Sequence, residues 1–151
     1  MDEPLSGLDP LVRDEVMEGL LAQAGETTIV ISSHELAEIE RCATHVVFMD
    51  RGRVVFQDTF DDLMTRFRHV TVTLPRDAAA ALAPTLPKAW LSPRREGQVI
   101  TFVDRAFAGD EALRRQIAEH VGAVQVASAE PISLRDLSKA LMRASRTESL
   151  Q

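Results

Sequence analysis

Residues 1–10 read MDEPLSGLDP and residues 27–34 read TTIVISSH, and the order of these two stretches decides how the chain is read. The first is rich in turn residues, punctuated by Pro4, Gly7 and Pro10, and sets two adjacent carboxylates, Asp2 and Glu3, directly before a proline. Asp9 suits a helix N-cap, and Pro10 suits the first helical position, where a missing N–H costs nothing. Val12, Val16 and Leu20 recur every four residues, with Met17 and Leu21 beside them. That is one apolar stripe of a helix, which Gly25 can close. Thr27 to Ser32 is β-branched and apolar without alternation, the habit of a strand buried on both faces in a parallel sheet. His34 stands just past the end of that strand, where open α/β sheets place their ligand chemistry.

Further along, a short helix is expected from Glu35 to Cys42. Strands follow at His45–Asp50 and Arg53–Gln57, joined by Arg51-Gly52, a pair suited to a tight hairpin. Thr59 caps a helix carrying Leu63, Met64 and Phe67. The pattern changes near His69, where HVTVTL alternates as a strand with one solvated face does. An alanine-rich helix is read at Asp77–Leu82, after which Pro84, Pro87 and Pro93 break the chain, with Trp90 among them as a packing anchor. Gln98–Val103 and Ala123–Ala127 read as strands, and Asp110–Val121 and Pro131–Ala144 as helices. This order suggests a small α+β sandwich over residues 69–144, followed by a tail at 145–151.

Composition narrows the choices. With 45% hydrophobic and 26% charged residues, the 151-residue chain is ordinary for a globular protein. A net charge of -6 argues against a general nucleic-acid binder, which needs a basic face to displace counterions. The single cysteine, Cys42, cannot form an internal disulfide, which suits a reducing compartment. No apolar run reaches the ~20 residues of a membrane helix.

Taken singly, Asp-Glu-Pro, Ser-Gly-Leu-Asp and a histidine after a strand are ordinary turns, caps and structural residues. As an ordered set, DEPLSGLDP, a helix, TIVISSH and the RGRVV hairpin resemble the ATP-binding cassette (ABC) ATPases of transporters. The resemblance implies that Asp2 helps hold Mg²⁺ on bound ATP, usually through water, and that Glu3 polarises the attacking water. It implies a D-loop at Ser6–Asp9 with Asp9 facing a partner subunit, and a switch histidine, His34, that senses the γ-phosphate. Val46–Gln57 matches the β-ribbon after that histidine. Leu5-Ser6-Gly7 looks like the start of the family's signature motif, but Leu8-Asp9 follows, so it is read as D-loop. Phosphoryl transfer to water needs a metal to offset charge and a carboxylate to orient the nucleophile, which agrees with these roles.

The glycines at 7, 19, 25, 52, 97, 109 and 122 allow no G-x-x-x-x-G-K-[ST] segment, the loop that cradles phosphates. The resemblance therefore covers roughly residues 1–65 and the second half of a cassette. The expected fold class is α/β: an incomplete P-loop NTPase-type parallel sheet remnant over residues 1–68, then a small α+β ferredoxin-like sandwich. By resemblance the cofactors are ATP and Mg²⁺. The implied partners are a second ABC ATPase subunit, as a homodimer, and a separate transmembrane permease subunit at the inner face of the cell membrane. The ending PISLRDLSKALMRA resembles the closing helix of drug- and antibiotic-export ATPases. The chain alone is expected neither to bind ATP tightly nor to hydrolyse it. Ile29, Val30, Ile31, Val46, Val47, Phe48 and Met49 should need burial against elements this chain does not supply, leaving residues 69–144 the more autonomous part. The alternatives are a non-catalytic regulatory or dimerisation module and, ranked lower, a soluble ABC protein without a transporter.

Overall fold

The computed structural model describes residues 1–25, 27–34, 36–76, 86–122 and 124–148. The chain is mixed α/β with two antiparallel sheets. It divides into two compact units, Met1–Cys42 and Ala43–Gln151.

In the first unit the capping chemistry acts as the sequence expects. The Asp9 carboxylate accepts from the N–H groups of Leu11 (3.0 Å) and Val12 (3.2 Å) and starts α1, Pro10–Ala24. Gly25 closes the helix at φ 46°, a conformation an L side chain adopts at a cost. The apolar stripe of α1 stays open, with no buried residue on the helix. A four-residue helix, α2, covers Leu36–Ile39, and Arg41 pairs with Asp14 at 3.2 Å.

The strand expected over Thr27–Ser32 is corrected by the structure. Only Ser32 makes a β-bridge, parallel to Asp2. The Met1 amino group donates to Val30 O (2.8 Å), Ser32 N to Met1 O (3.0 Å) and Glu3 N to Ser32 O (3.1 Å). The segment thus has the parallel register that a buried strand implies, but its described partner is only three residues long. Three residues cannot build or cover a sheet, and Val30 is 73% exposed.

In the second unit, β1 (His45–Asp50) and β2 (Arg53–Thr59) form the expected hairpin. Arg51 and Gly52 both take positive φ, 49° and 75°, so the turn follows the right-handed twist of its strands. Thr59 Oγ1 accepts from Asp62 N (3.1 Å) and starts α3, Phe60–Arg66. The larger sheet holds β3 (Arg68–Thr73), β4 (Trp90–Glu96), β5 (Val99–Asp104) and β6 (Val126–Pro131), ordered β4-β5-β3-β6 with every pair antiparallel. Two helices complete the unit, α4 (Asp110–His120) and α5 (Leu134–Glu148).

The alternation of β3 is borne out: Val70 and Val72 face a core with Trp90, Ile100, Phe102, Leu113 and Ile117. Trp90 stacks on Phe102 at 4.1 Å between centroids, with the His120 ring edge-on at 5.8 Å. Helix α5 contributes Leu134, Leu137, Ala140 and Leu141 as buried residues. Apart from Leu5, every buried apolar side chain among the described residues lies between Leu63 and Leu141.

Three expectations need correction here. The chain does not break at Pro93. Strand β4 runs through it as an edge strand, and its register shifts between Leu91 and Arg94, with Ser92 at φ 49°. The bulge takes up the proline, which has no N–H for the ladder. Strand β6 starts at Val126, later than expected, because its ladder with β3 spans Val126–Pro131; Ala123 lies outside the described residues. Helix α5 begins at Leu134 and not at Pro131, where Ser133 Oγ accepts from Asp136 N at 3.2 Å, and continues to Glu148. The helix expected at Asp77–Leu82 lies outside the described residues, as does Glu35.

Candidate functional site

Four of the side chains singled out in the sequence stand on the loop before α1, and the fifth, His34, is brought to them by the short parallel ladder. Glu3 follows the bridged residue Asp2 and takes positive φ, 44°, a left-handed conformation that costs a non-glycine residue about 1–2 kcal/mol. That turn takes the chain out of the ladder. Two further turns follow: Ser6 N donates to Glu3 O (3.1 Å) and Leu8 N to Leu5 O (3.3 Å). Leu5 points inward at 3% exposure, while Ser6 is exposed.

The central contact joins Glu3 and His34. His34 Nδ1 lies 2.6 Å from Glu3 Oε2, with the two side chains 62% and 41% exposed. An ionised carboxylate only accepts hydrogen bonds, so the imidazole donates through Nδ1. Asp2 is held differently. Its Oδ1 accepts from the Ser32 hydroxyl at 2.5 Å, and the same hydroxyl oxygen accepts from Glu3 N at 3.0 Å. Glu3 and His34 therefore meet, while the Asp2 carboxylate is tied to Ser32. Ser6 joins only through its backbone, and the Asp9 carboxylate is engaged in capping α1.

The sequence alone does not single out Ser32. Its only signal, a hydroxyl closing an apolar run two residues before the histidine, is too common to act on. Among the described residues no three His, Cys, Asp or Glu side chains gather as a metal cage. No described helix is long and apolar enough to cross a membrane.

Known proteins can be set beside this geometry. The chain is similar to ATP-binding proteins of ABC transporters. The daunorubicin resistance ATP-binding protein DrrA2 of Streptomyces coeruleorubidus is 41% identical over 64 residues, 42% of this chain and 20% of the relative. The methionine import ATP-binding protein MetN of Cereibacter sphaeroides is 34% identical over 131 residues, 78% of this chain and 36% of the relative. The molybdenum import ATP-binding protein ModC of Rhodopseudomonas palustris (strain BisB18) is 29% identical over 160 residues, 88% of this chain and 39% of the relative. The chain thus spans between 20% and 39% of the length of these relatives. No family model matches it.

The other titratable groups are explained by their surroundings. Burial pushes the Cys42 thiol above its ordinary range, against a smaller opposing pull from Arg41. His120 Nδ1 donates to Gln116 O at 3.0 Å within α4. An open groove of about 430 Å³ in the second unit is bordered by His69, Arg94, Thr101, Glu130 and Lys139. Its charges are mixed, and Lys139 pairs with Asp136 at 3.2 Å.

Proposed function

We propose that this chain is the second half of the ATP-hydrolysing domain of an ABC transporter, with a small C-terminal domain attached. The observation that carries this reading is the contact between Glu3 and His34, with Asp2 on the same loop. Glu3 is the general base: its carboxylate orients a water and takes its proton as the water attacks the γ-phosphate of ATP. His34 fixes the carboxylate through Nδ1 and can donate a hydrogen bond to a terminal phosphate when it turns to ligand. Asp2 is the carboxylate for Mg²⁺. That ion is commonly held by one or two carboxylates together with substrate phosphates, which suits an exposed aspartate outside any closed cage. When bound, magnesium offsets the charge that develops on the phosphoryl group. Ser6 and Asp9, on the loop into α1, face the partner cassette.

The phosphate-binding loop and signature motif come from outside these residues. The whole assembly pairs two cassettes as a homodimer and docks on a transmembrane permease subunit from the cytoplasmic face. Export is the proposed direction, on the SLRDLSKAL helix alone, since the relatives' names include import as well as drug resistance. The cassette part ends near residue 68. Residues 69–144 are a ferredoxin-like sandwich, a reading supported by the strand order β4-β5-β3-β6; the tail expected from residue 145 is corrected by α5, which runs on to Glu148.

The test is ATP hydrolysis by the 151-residue chain, alone and mixed with a separately expressed cassette half bearing the phosphate loop and signature motif. The expected result is no turnover alone and Mg-dependent turnover on mixing, lost in Glu3→Gln. Turnover by the chain alone, or turnover on mixing that survives Glu3→Gln, overturns the reading. A second reading is a non-catalytic dimerisation module, favoured by the concentration of buried side chains between Leu63 and Leu141. Concentration-dependent self-association of the chain without any nucleotide effect would support it.

A further inference from the structure

We infer that Ser32 is the positioning residue of the carboxylate pair, holding Asp2 and Glu3 at the same time through one hydroxyl group. A serine hydroxyl has one donor and two acceptor lone pairs. Here the donor goes to Asp2 Oδ1 at 2.5 Å, and one lone pair accepts from Glu3 N at 3.0 Å. Two neighbouring residues with different orientations are thus tied to one atom. The Glu3 N–H is shared with Ser32 O at 3.1 Å, so the clamp and the backbone ladder meet at the same amide.

The arrangement bears on the geometry of the pair. Glu3 sits at φ 44°, which persists only where the surroundings enforce it. The groups that hold its amide are both on Ser32. Release of that amide lets the residue relax to an extended conformation and swings its carboxylate away from His34 Nδ1, now 2.6 Å distant. On the other side, the hydroxyl removes rotamer freedom from Asp2 and fixes which oxygen is spent on the protein. Side chains that work on a reacting group need their orientation fixed by a second layer of hydrogen bonds. Ser32 supplies that layer for both carboxylates, and its backbone N–H anchors it to Met1 O at 3.0 Å. The assignment of these carboxylates to hydrolysis rests on the function proposed above. The clamp itself is a statement about three residues and needs no nucleotide.

The experiment is therefore done on the whole chain without ATP. In ¹⁵N and ¹³C NMR spectra of the wild type, a Glu3 N–H exchanging more slowly than the exposed amides around it and a His34 ring in the Nδ1–H form are expected. In Ser32→Ala the Glu3 N–H keeps only the Ser32 backbone O as acceptor, and its hydrogen exchange should speed up by up to about tenfold, the factor that goes with one lost hydrogen bond. The His34 ring nitrogen shifts should lose the Nδ1–H tautomer signature. Ser32→Thr keeps the hydroxyl and should restore both. A serine that merely satisfies the strand end would leave the His34 tautomer unchanged in Ser32→Ala. That outcome, or a wild-type Glu3 N–H exchanging at the rate of a free amide, overturns the inference. The wild-type measurement decides even if Ser32→Ala fails to fold. An intact clamp in a chain that fails the complementation assay would remove the proposed function and leave the clamp standing. Glu3-dependent turnover with no clamp signature would do the reverse.

Discussion

His34 Nδ1 lies 2.6 Å from Glu3 Oε2 across 31 positions of sequence, and both side chains are exposed to water. An exposed pair of this kind contributes little to stability, typically about 0–1 kcal/mol. Glu3→Gln should therefore leave the unfolding free energy of the chain within about 1 kcal/mol of the original in urea titrations. In the complemented assembly the same change should lower ATP turnover by roughly 10²–10⁴-fold, the usual contribution of a general base. A comparable loss in both measurements would mean that the pair is structural.

The Asp9 cap gives a second expectation. Its carboxylate serves two backbone N–H groups at the start of α1, and removal of such a cap costs about 0.5–2 kcal/mol. Asp9→Ala should lower helical signal and stability by that amount, while Asp9→Asn and Asp9→Ser retain most of it. Circular dichroism melts of the three variants check this.

Trp90 is the largest side chain of the four-stranded sheet's core, 4% exposed and stacked on Phe102. Trp90→Ala should destabilise by about 3–5 kcal/mol, as aromatic truncations in packed cores do. Trp90→Phe should cost less, because a ring remains to stack on Phe102, the cavity left is smaller than in Trp90→Ala, and the buried indole N–H is removed with it. The chain has a single tryptophan, so fluorescence reports unfolding of this core directly in the wild type and in variants placed elsewhere.

Asp104 is a buried acid at the end of β5, 2% exposed, and its Oδ1 accepts from Ala106 N at 2.9 Å. Burial raises its pKa above the ordinary carboxylate value, and the Ala106 amide offsets part of that rise. The folded state therefore holds the proton more tightly than the unfolded chain. Stability contributed at this site is greatest below the unfolded pKa of about 3.9. It declines as pH rises through the raised folded value, then levels off. Asp104→Asn keeps the turn acceptor and removes the titration. Its melting temperature at pH 7 should equal or exceed the wild type, with a flatter profile between about pH 4 and 7, as thermal melts across that range would show.

Nearly all buried apolar side chains lie between Leu63 and Leu141, and Val30, Val47 and Met49 are more than half exposed. None of the seven apolar residues expected to need burial against other elements is buried in this chain. Amide exchange should accordingly be slowest at β3 and β5 and faster over residues 1–42. Slower exchange in residues 1–42 than in β3 would contradict this. Addition of the complementary cassette half should slow exchange around Val30 and Val47, which is the second readout of the proposed function.

Much of this protein was determined locally, by signals that need no distant partner. The Asp9-Pro10 start of α1, the Arg51-Gly52 turn, the Thr59 cap and the alternation of Val70 and Val72 follow from backbone sterics, capping and side-chain period. Asp2, Glu3 and His34 were singled out by their order along the chain, though each is ordinary; that Glu3 and His34 touch is a matter of the fold. The tertiary structure decided what depends on neighbours. Pro93 is compatible with a strand only because β4 lies at the edge of its sheet, and edge position is a property of topology. The stretch from Thr27 to Ile31 looks buried because it is apolar, yet burial needs covering surface that the described residues do not provide. The role of Ser32 was invisible for the same reason: a hydroxyl acquires a function only when folding places a carboxylate at one side and an amide at the other.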